Sequence, residues 1–350
     1  MGGNLFGTER VTAEVYYDIV PHVLSLLSHH DSGIRAEVVP HFRSKETFGD
    51  LDIVTTMRPL HAVEMLELIG VPISRNEDVV SFMYTHEPTS SGFQVDLICV
   101  AAVDFDVALA YFSYNDLGNM IGRICHKMGL KFGHTGLIYP VRLEHGIAED
   151  VVVSKDFPMI LAFLGLGPGR WARGFDTRDE IFEFVASSKY FSPDIFDPQR
   201  NHYNRTKNAK RDSFRMFTDW LELNKPSANF YFDADVNRES YLSSIADFFG
   251  WGIVSRIDTI KKIGALRKEL NDRFSGELFI SVTGLQGKEL GAFITEYRSR
   301  HTMWSNNEAG SWLDPSIRER WEFKATQEEI ENDIREKYAA YKGVVHGSSS

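Results

Sequence analysis

The 350-residue sequence has few cysteines and no long apolar segment. Its two cysteines, Cys99 and Cys125, are too few for a disulfide framework or a thiolate zinc site, and both lie in apolar surroundings typical of reduced core thiols. No apolar run approaches the roughly 20 residues that cross a bilayer, and residues 1–10 lack a signal-peptide pattern. We therefore expect a cytoplasmic protein with no membrane partner.

Basic residues are also scarcer than acidic ones. The 38 Lys and Arg residues and 49 Asp and Glu residues give a net charge of −11. This balance is unlike that of proteins that bind nucleic acid over their whole surface, but it permits a local basic groove. One basic patch, with Asp212 as its single acid, consists of Arg200, Arg205, Lys207, Lys210, Arg211 and Arg215. It fits either a groove that follows a phosphate backbone or a solvated helix face.

Two carboxylates alternate with aliphatic residues in the segment Gly49-Asp50-Leu51-Asp52-Ile53-Val54. At the strand period of two, Asp50 and Asp52 point to the same face of a sheet. Because like charges repel and unpaired buried charge is costly, a divalent cation on that face is the expected compensation. The alternative is a turn acid followed by an exposed strand acid.

A third carboxylate stands in another strand-like run. Residues 79–85 and 93–100 predict a hairpin, separated by turn residues. The second run is apolar except for Gln94 and Asp96, which share a face. If it lies beside the strand of Asp50 and Asp52, three carboxylates converge in an oxygen-rich site that suits Mg²⁺.

The remaining pattern predicts helices around this sheet and in the second half of the chain. Residues 11–27 have helical spacing that Pro21 should kink or split. Residues 60–69 predict a helix that ends at Gly70. Further helices are expected over residues 257–274, 288–297 and 322–341. The aromatic residues Phe214, Phe217 and Trp220 are expected to belong to a core.

Several of these segments resemble one known family. The run Arg43-Ser-Lys-Glu-Thr-Phe-Gly-Asp-Leu-Asp-Ile-Val54 resembles the palm motif of family X DNA polymerases, within the polymerase β-like nucleotidyltransferase superfamily. Asp96 stands where that family has its third metal-binding aspartate, and Tyr111-Phe112 falls at the spacing of its Tyr-Phe-Thr-Gly-Ser segment. Segments 126–137 and 174–184 resemble parts of its thumb. The resemblance covers roughly residues 10–195, with an insertion around residues 143–172.

The sequence also departs from the family pattern. The family opens its motif with Gly-Ser, whose backbone amides and hydroxyl hold the triphosphate, whereas Val39-Pro40 stands at that place here. Proline has no backbone donor, so phosphate binding is expected to depend more on Arg43, Ser44 and Lys45.

The resemblance implies a function and a set of site residues. Asp50, Asp52 and Asp96 would be the catalytic, metal-binding residues for two Mg²⁺ ions, with Mn²⁺ as a substitute. The residues implied to bind a nucleoside triphosphate are Arg43, Ser44, Lys45, Gly49, Tyr111 and Phe112. The reaction would transfer a nucleoside monophosphate from an NTP or dNTP to the 3′-hydroxyl of DNA or RNA, bound through Arg200, Arg205, Lys207, Lys210 and Arg211. Transfer to a protein or small molecule, and a non-catalytic nucleic-acid-binding module, remain alternatives.

The expected fold is α+β and has three parts. Residues 1–105 form a palm-like catalytic domain with a small mixed sheet and helices. Residues 106–198 form a thumb-like domain, and residues 199–345 form a mainly helical C-terminal domain with possible nucleic-acid binding.

Overall fold

The computed structural model describes residues 5–31, 33–85, 92–143, 146–197, 211–232, 238–305 and 312–347. Its contacts divide the chain into two compact units. The first consists of Met1–Pro140 with Asp150–Trp251, and the second of Val141–Glu149 with Gly252–Ser350. The three-part division expected from the sequence stays a prediction.

A five-stranded mixed sheet organises the first unit. The elements up to its last strand are β1 (Val11–Thr12), α1 (Ala13–His30), β2 (Ala36–Val38), β3 (Thr47–Phe48), β4 (Asp50–Thr55), α2 (Pro59–Ile69), β5 (Ile73–Asn76), β6 (Val79–Tyr84) and β7 (Phe93–Cys99). The strand order is β2-β4-β7-β6-β5, while β1 and β3 form a separate antiparallel pair. Only β4 and β7 are parallel in the five-stranded sheet, and the predicted hairpin of β6 with β7 is confirmed.

The two faces of the sheet have different neighbours. One face carries Leu51 and Ile53, which are fully buried in a core that also contains residues of α1 and α2. The other face carries Val54 and Ile98, which pack against Phe105 and Ala108. Because side chains alternate along a strand, Asp52 and Asp96 lie on this second face.

The first helix, α1, contains Pro21 in its interior. Thr12 caps α1 by accepting a hydrogen bond from the backbone N–H of Val15 at 3.5 Å. The helix continues to His30, so the expectation of a split at Pro21 is wrong, and a kink there stays a prediction. Its buried stripe consists of Tyr16, Ile19, Val23 and Leu27. This apolar stripe holds both halves of the helix on the same core, which offsets the hydrogen bond lost at the proline.

More helices and a three-stranded sheet follow. They are α3 (Phe105–Phe112), α4 (Leu117–Lys127), β8 (Lys131–Gly133), β9 (Gly136–Leu143), β10 (Gly146–Ser154), α5 (Phe157–Phe163), α6 (Pro168–Ala172), α7 (Arg178–Ala186), α8 (Asp212–Asn224) and α9 (Leu242–Phe249). The strand order is β10-β9-β8. Phe214 and Phe217 of α8 are buried, as expected for core residues.

The second unit is helical in its described C-terminal part. Its helices are α10 (Gly252–Arg273), α11 (Gly276–Thr283), α12 (Gly287–Ser299), α13 (Thr302–Ser305), α14 (Trp321–Lys324) and α15 (Gln327–Gly347). The expected single helix over residues 322–341 is therefore wrong. Thr326 and Glu329 form a capping box, in which each side chain accepts a hydrogen bond from the other's backbone N–H, and a new helix starts there. Among the described helices, none combines the length and apolar character that a membrane crossing requires.

Candidate metal centre

Asp50, Asp52 and Asp96 come together because their strands are adjacent and parallel. In the register of β4 and β7, Asp52 lies opposite Asp96, and Asp50 lies opposite Gln94. Each aspartate offers a carboxylate oxygen, and these three oxygens lie within 4.8 Å of one another. Oxygen-rich clusters of this kind suit Mg²⁺, Mn²⁺ and Ca²⁺.

The three carboxylates are not equally supported by hydrogen bonds. The Gln94 side-chain amide donates to both Asp96 oxygens, at 2.9 and 3.0 Å. The Gln94 carbonyl oxygen in turn accepts from the backbone N–H of Leu5 at 3.1 Å. Among the described residues, no donor reaches the side chain of Asp50 or Asp52. Asp96 is therefore oriented by the protein, while the other two carboxylates are available to a ligand.

Electrostatic repulsion within the cluster is only partly compensated by nearby positive charges. Burial and then the charges of Asp50 and Asp96 raise the pKa of Asp52 to about 8. Burial and then the charge of Asp96 raise the pKa of Asp50. Lys45 opposes both shifts. A bound divalent cation would favour the charged carboxylates, so the donor set fits such an ion.

The three acids line a cavity of about 310 Å³. Its other lining residues are Tyr16, Val39, Pro40, His41, Lys45, Phe48, Val79, Ile98, Phe112 and Asn115. The rings of Tyr16 and Phe48 stack with centroids 3.7 Å apart. Burial, and then the charge of Asp52, raises the pKa of the Tyr16 hydroxyl, which therefore stays protonated. The cavity thus has an acidic wall beside an aromatic wall.

The predicted nucleotide-binding residues are only partly brought together here. Lys45 and Phe112 line the cavity. Gly49 is buried between β3 and β4. The guanidinium of Arg43 instead donates to the carboxylate of Asp176 and to the Arg173 carbonyl oxygen, and the backbone N–H of Ser44 donates to the Asp176 carbonyl oxygen.

Tyr111 lines a second cavity, of about 320 Å³, in the same unit. The Tyr111 ring is 5.2 Å from that of Phe112, measured between centroids, so the two neighbours contribute to different cavities. The basic residues of this second cavity are Arg123, His126, Lys127 and Lys131. Arg123, His126 and Lys127 occupy positions i, i+3 and i+4 of α4, so they lie on the same side of the helix.

The predicted basic patch lies only partly within the described residues. Arg200, Arg205, Lys207 and Lys210 lie outside the described residues. Arg211 donates to the Asp116 carboxylate at 2.8 Å, and Arg215 forms an ion pair with Asp212 within α8.

Several cavity residues were not identified from the sequence as functional. Tyr16 occurs within a helical apolar stripe, and nothing in that pattern distinguishes it from a core residue. His41 and Asn115 are isolated polar residues in irregular segments. Gln94 did carry a signal, because it shares a strand face with Asp96 in an otherwise apolar run.

The sequence matches no known family model, and no curated protein is significantly similar to it. A functional conclusion therefore depends on the chemistry of the site.

Proposed function

We propose that this protein is a Mg²⁺-dependent nucleotidyltransferase with a polymerase β-like palm. It would transfer a nucleoside monophosphate from a nucleoside triphosphate to the 3′-hydroxyl of a nucleic acid and release pyrophosphate. The observation that carries this proposal is the convergence of Asp50, Asp52 and Asp96 on one wall of a cavity. Their parallel strands, β4 and β7, lie at the centre of a mixed sheet backed by helices, which supports the palm assignment.

The acids fit the metal requirement of this chemistry. Asp50 and Asp52 would hold two Mg²⁺ ions, and Asp96 would share one of them. When bound, such ions neutralise phosphate charge and stabilise the attacking and leaving oxygens of an in-line displacement. Mn²⁺ takes similar oxygen ligands and should substitute for Mg²⁺.

The protein's own contribution is mainly positioning and electrostatics. A bond forms between the hydroxyl oxygen and the α-phosphorus, while the bond from that phosphorus to the bridging oxygen breaks. Pyrophosphate leaves with the electron pair. The hydroxyl proton passes to the carboxylate of Asp96, which Gln94 holds in place at 2.9 and 3.0 Å.

A polyanionic acceptor is supported by the second cavity. Arg123 and Lys127 line it together with Tyr111 and with Lys131, whose ammonium also pairs with the Asp150 carboxylate at 3.3 Å. The adjacent Phe112 lines the acidic cavity. A cationic surface of this kind attracts a phosphate backbone. It compensates locally for the net charge of −11, which would otherwise repel nucleic acid.

Primer extension tests the proposal. Purified protein is incubated with labelled DNA or RNA primers, with and without template, the four NTPs or dNTPs, and Mg²⁺. We expect extension that is lost in Asp52→Asn and Asp96→Asn and retained in Asp219→Asn, because Asp219 is an exposed carboxylate on α8. Mass spectrometry of treated lysate detects the alternative, transfer to a protein or metabolite. Failure of the wild-type protein to extend any primer while it binds nucleotide would refute the proposed acceptor.

A further inference from the structure

The turn of residues 39–45, which precedes the acidic strand, has few backbone donors left for a ligand. The N–H groups of Arg43, Ser44 and Lys45 donate to the carbonyl oxygens of Phe175, Asp176 and Phe42, at 3.0, 2.9 and 3.2 Å respectively. Val39 N–H donates to the Asp52 carbonyl oxygen at 2.9 Å, and Pro40 has no N–H. Phosphate groups that enter the cavity must therefore be held mainly by side chains.

The same turn is fastened to residues 173–178. Besides the two backbone hydrogen bonds to residues 175 and 176, the Arg43 guanidinium bonds to the Asp176 carboxylate and the Arg173 carbonyl oxygen. The guanidinium carbon of Arg178 lies 5.3 Å from the ring centroid of Phe42. The side chain of Arg43 thus links two segments 130 or more residues apart in sequence.

Lys45, unlike Arg43, does not bind the segment of residues 173–178. It lines the acidic cavity, and its ammonium nitrogen lies 4.4 Å from the centroid of the Phe48 ring. Among the described residues, no carboxylate lies within 4.0 Å of the Lys45 ammonium. Of the described residues that line this cavity, Lys45 is the one that carries an ammonium or guanidinium group. Burial lowers the pKa of Lys45, while the charges of Asp50 and Asp52 act in the opposite direction.

The histidine of the cavity does not supply a second cation. His41 Nδ1–H donates to the Phe42 carbonyl oxygen at 3.1 Å, and its Nε2 can accept from the Tyr17 hydroxyl at 3.5 Å. Burial lowers the pKa of His41. The imidazole is therefore neutral near pH 7, which leaves Lys45 as the cationic side chain among the described residues that line this cavity.

We propose that Lys45 binds the β- and γ-phosphates of the substrate triphosphate, and that Arg43 is a positioning residue that fixes the turn carrying Lys45. This inference rests on the proposed function. As the bond between the α-phosphorus and the bridging oxygen breaks, negative charge increases on the pyrophosphate that leaves. Lys45 donates charge-assisted hydrogen bonds to that group and transfers no proton.

Calorimetric titration with inorganic tripolyphosphate in Mg²⁺ tests Lys45 directly, because this probe carries no base or sugar. We expect Lys45→Ala to weaken binding roughly 10- to 100-fold, the effect of losing a hydrogen bond to a charged group. Lys45→Arg keeps the charge and should restore most of the affinity. Lys189→Ala is the matched control, since Lys189 lies 4.9 Å from the Tyr190 ring and lines no part of this cavity. Wild-type affinity in Lys45→Ala would overturn the inference.

Substitution of Asp176 distinguishes between the two possible roles of Arg43, as a positioning residue and as a phosphate ligand. If Arg43 positions the turn, Asp176→Ala should weaken tripolyphosphate binding about as much as Arg43→Ala. The double variant should then be no worse than either single variant. If Arg43 were itself the phosphate ligand, Asp176→Ala would free its guanidinium and leave binding unchanged or tighter, and the inference would be wrong. Thermal unfolding of each variant shows whether it is folded.

The two proposals can fail separately. A wild-type protein that neither binds Mg²⁺ nor extends primers contradicts the proposed function. A protein that binds Mg²⁺ and extends primers, but binds tripolyphosphate equally well with and without Lys45, contradicts this inference alone.

Discussion

Asp52 and Asp96 lie opposite each other on two parallel, hydrogen-bonded strands, although they are 44 positions apart in the sequence. This pairing places two carboxylates side by side, and Asp50 is added on the same face one strand period earlier. Repulsion between like charges in a half-buried site costs stability unless a cation is bound.

Metal binding should stabilise the wild-type protein and not the Asp52→Asn variant. A ligand that binds only the folded state adds about 2.7 kcal/mol when its concentration is 100 times its dissociation constant. We expect Mg²⁺ to raise the wild-type Tm by several degrees and to have little effect on Asp52→Asn. Differential scanning calorimetry with Mg²⁺ and with EDTA measures both shifts. An equal rise in the two proteins would place the bound ion elsewhere.

Without metal, the stability of the protein should fall as pH rises from about 4 to about 8. The pKa of Asp52 is raised to about 8 by burial and by Asp50 and Asp96, whereas in the unfolded chain it returns to about 3.9. Between these values the folded state holds a proton that the unfolded state has released, so a rise in pH favours unfolding.

Asp52→Asn removes the group that binds this proton, so the stability of the variant should depend less on pH. We expect the variant to be more stable than the wild-type protein at pH 8 in EDTA, and Asp219→Asn to follow the wild-type curve. Unfolding curves between pH 5 and about 8.5 provide the measurement. A wild-type protein whose metal-free stability increases over this range would contradict the expected repulsion.

Substitution of Gln94 should reduce catalytic activity more than it reduces stability. Its amide donates to both oxygens of Asp96 and accepts from the Leu5 N–H. Gln94→Met keeps a similar volume but removes these hydrogen bonds, so Asp96 can rotate. Loss of such an orienting partner typically costs about 10- to 100-fold in metal affinity or activity. We expect kcat to fall by that factor in primer extension, with partial recovery at high Mn²⁺. Unchanged kinetics would show that Asp96 needs no orientation by Gln94.

The strand faces on which the acidic residues lie could be predicted from sequence, because side-chain alternation is local, whereas the pairing of β4 with β7 entered only as a condition. The period-two pattern fixes the face of Asp50 and Asp52, and the isolated polar pair Gln94 and Asp96 marks a second strand of the same kind. Turn residues between two apolar runs also sufficed to predict the β6–β7 hairpin. These parts needed only side-chain alternation and turn chemistry.

The surroundings of the cluster could not be predicted in the same way. Nothing in the sequence near Arg43 indicates that Asp176 will neutralise it, since the contact depends on the path of the chain over 133 residues. The placement of Tyr16 in the cavity depends on its stacking with Phe48, a contact between a helix and a distant strand. By contrast, Thr326 and Glu329 carry a recognisable capping-box pattern, and the helix boundary there could have been read from the sequence.

A buried carboxyl group beside an imidazole in the second unit should make that unit sensitive to acid. Glu322 is buried, and its carboxylate lies 3.6 Å from Nδ1 of His301. The nearby His301 imidazole is the main cause that lowers the pKa of Glu322, and burial opposes it. A carboxyl group with a lowered folded-state pKa contributes stability above its unfolded value, near 4.3, and loses that contribution as pH falls through the folded value.

Glu322→Gln should therefore destabilise the second unit near neutral pH by about 1–3 kcal/mol, and the difference from wild type should shrink below about pH 4. Trp321 stacks on His301 with centroids 5.6 Å apart. Because the protein contains six tryptophans, the signal of this site during urea unfolding is taken as the difference in fluorescence from a Trp321→Phe background. Glu319→Gln is the matched control, because Glu319 is an exposed residue that pairs with Lys324, and it should change stability little at any pH. If the two variants instead lose equal stability at pH 7, burial of the Glu322 carboxylate beside His301 contributes nothing to this unit, and its acid sensitivity must come from other carboxylates.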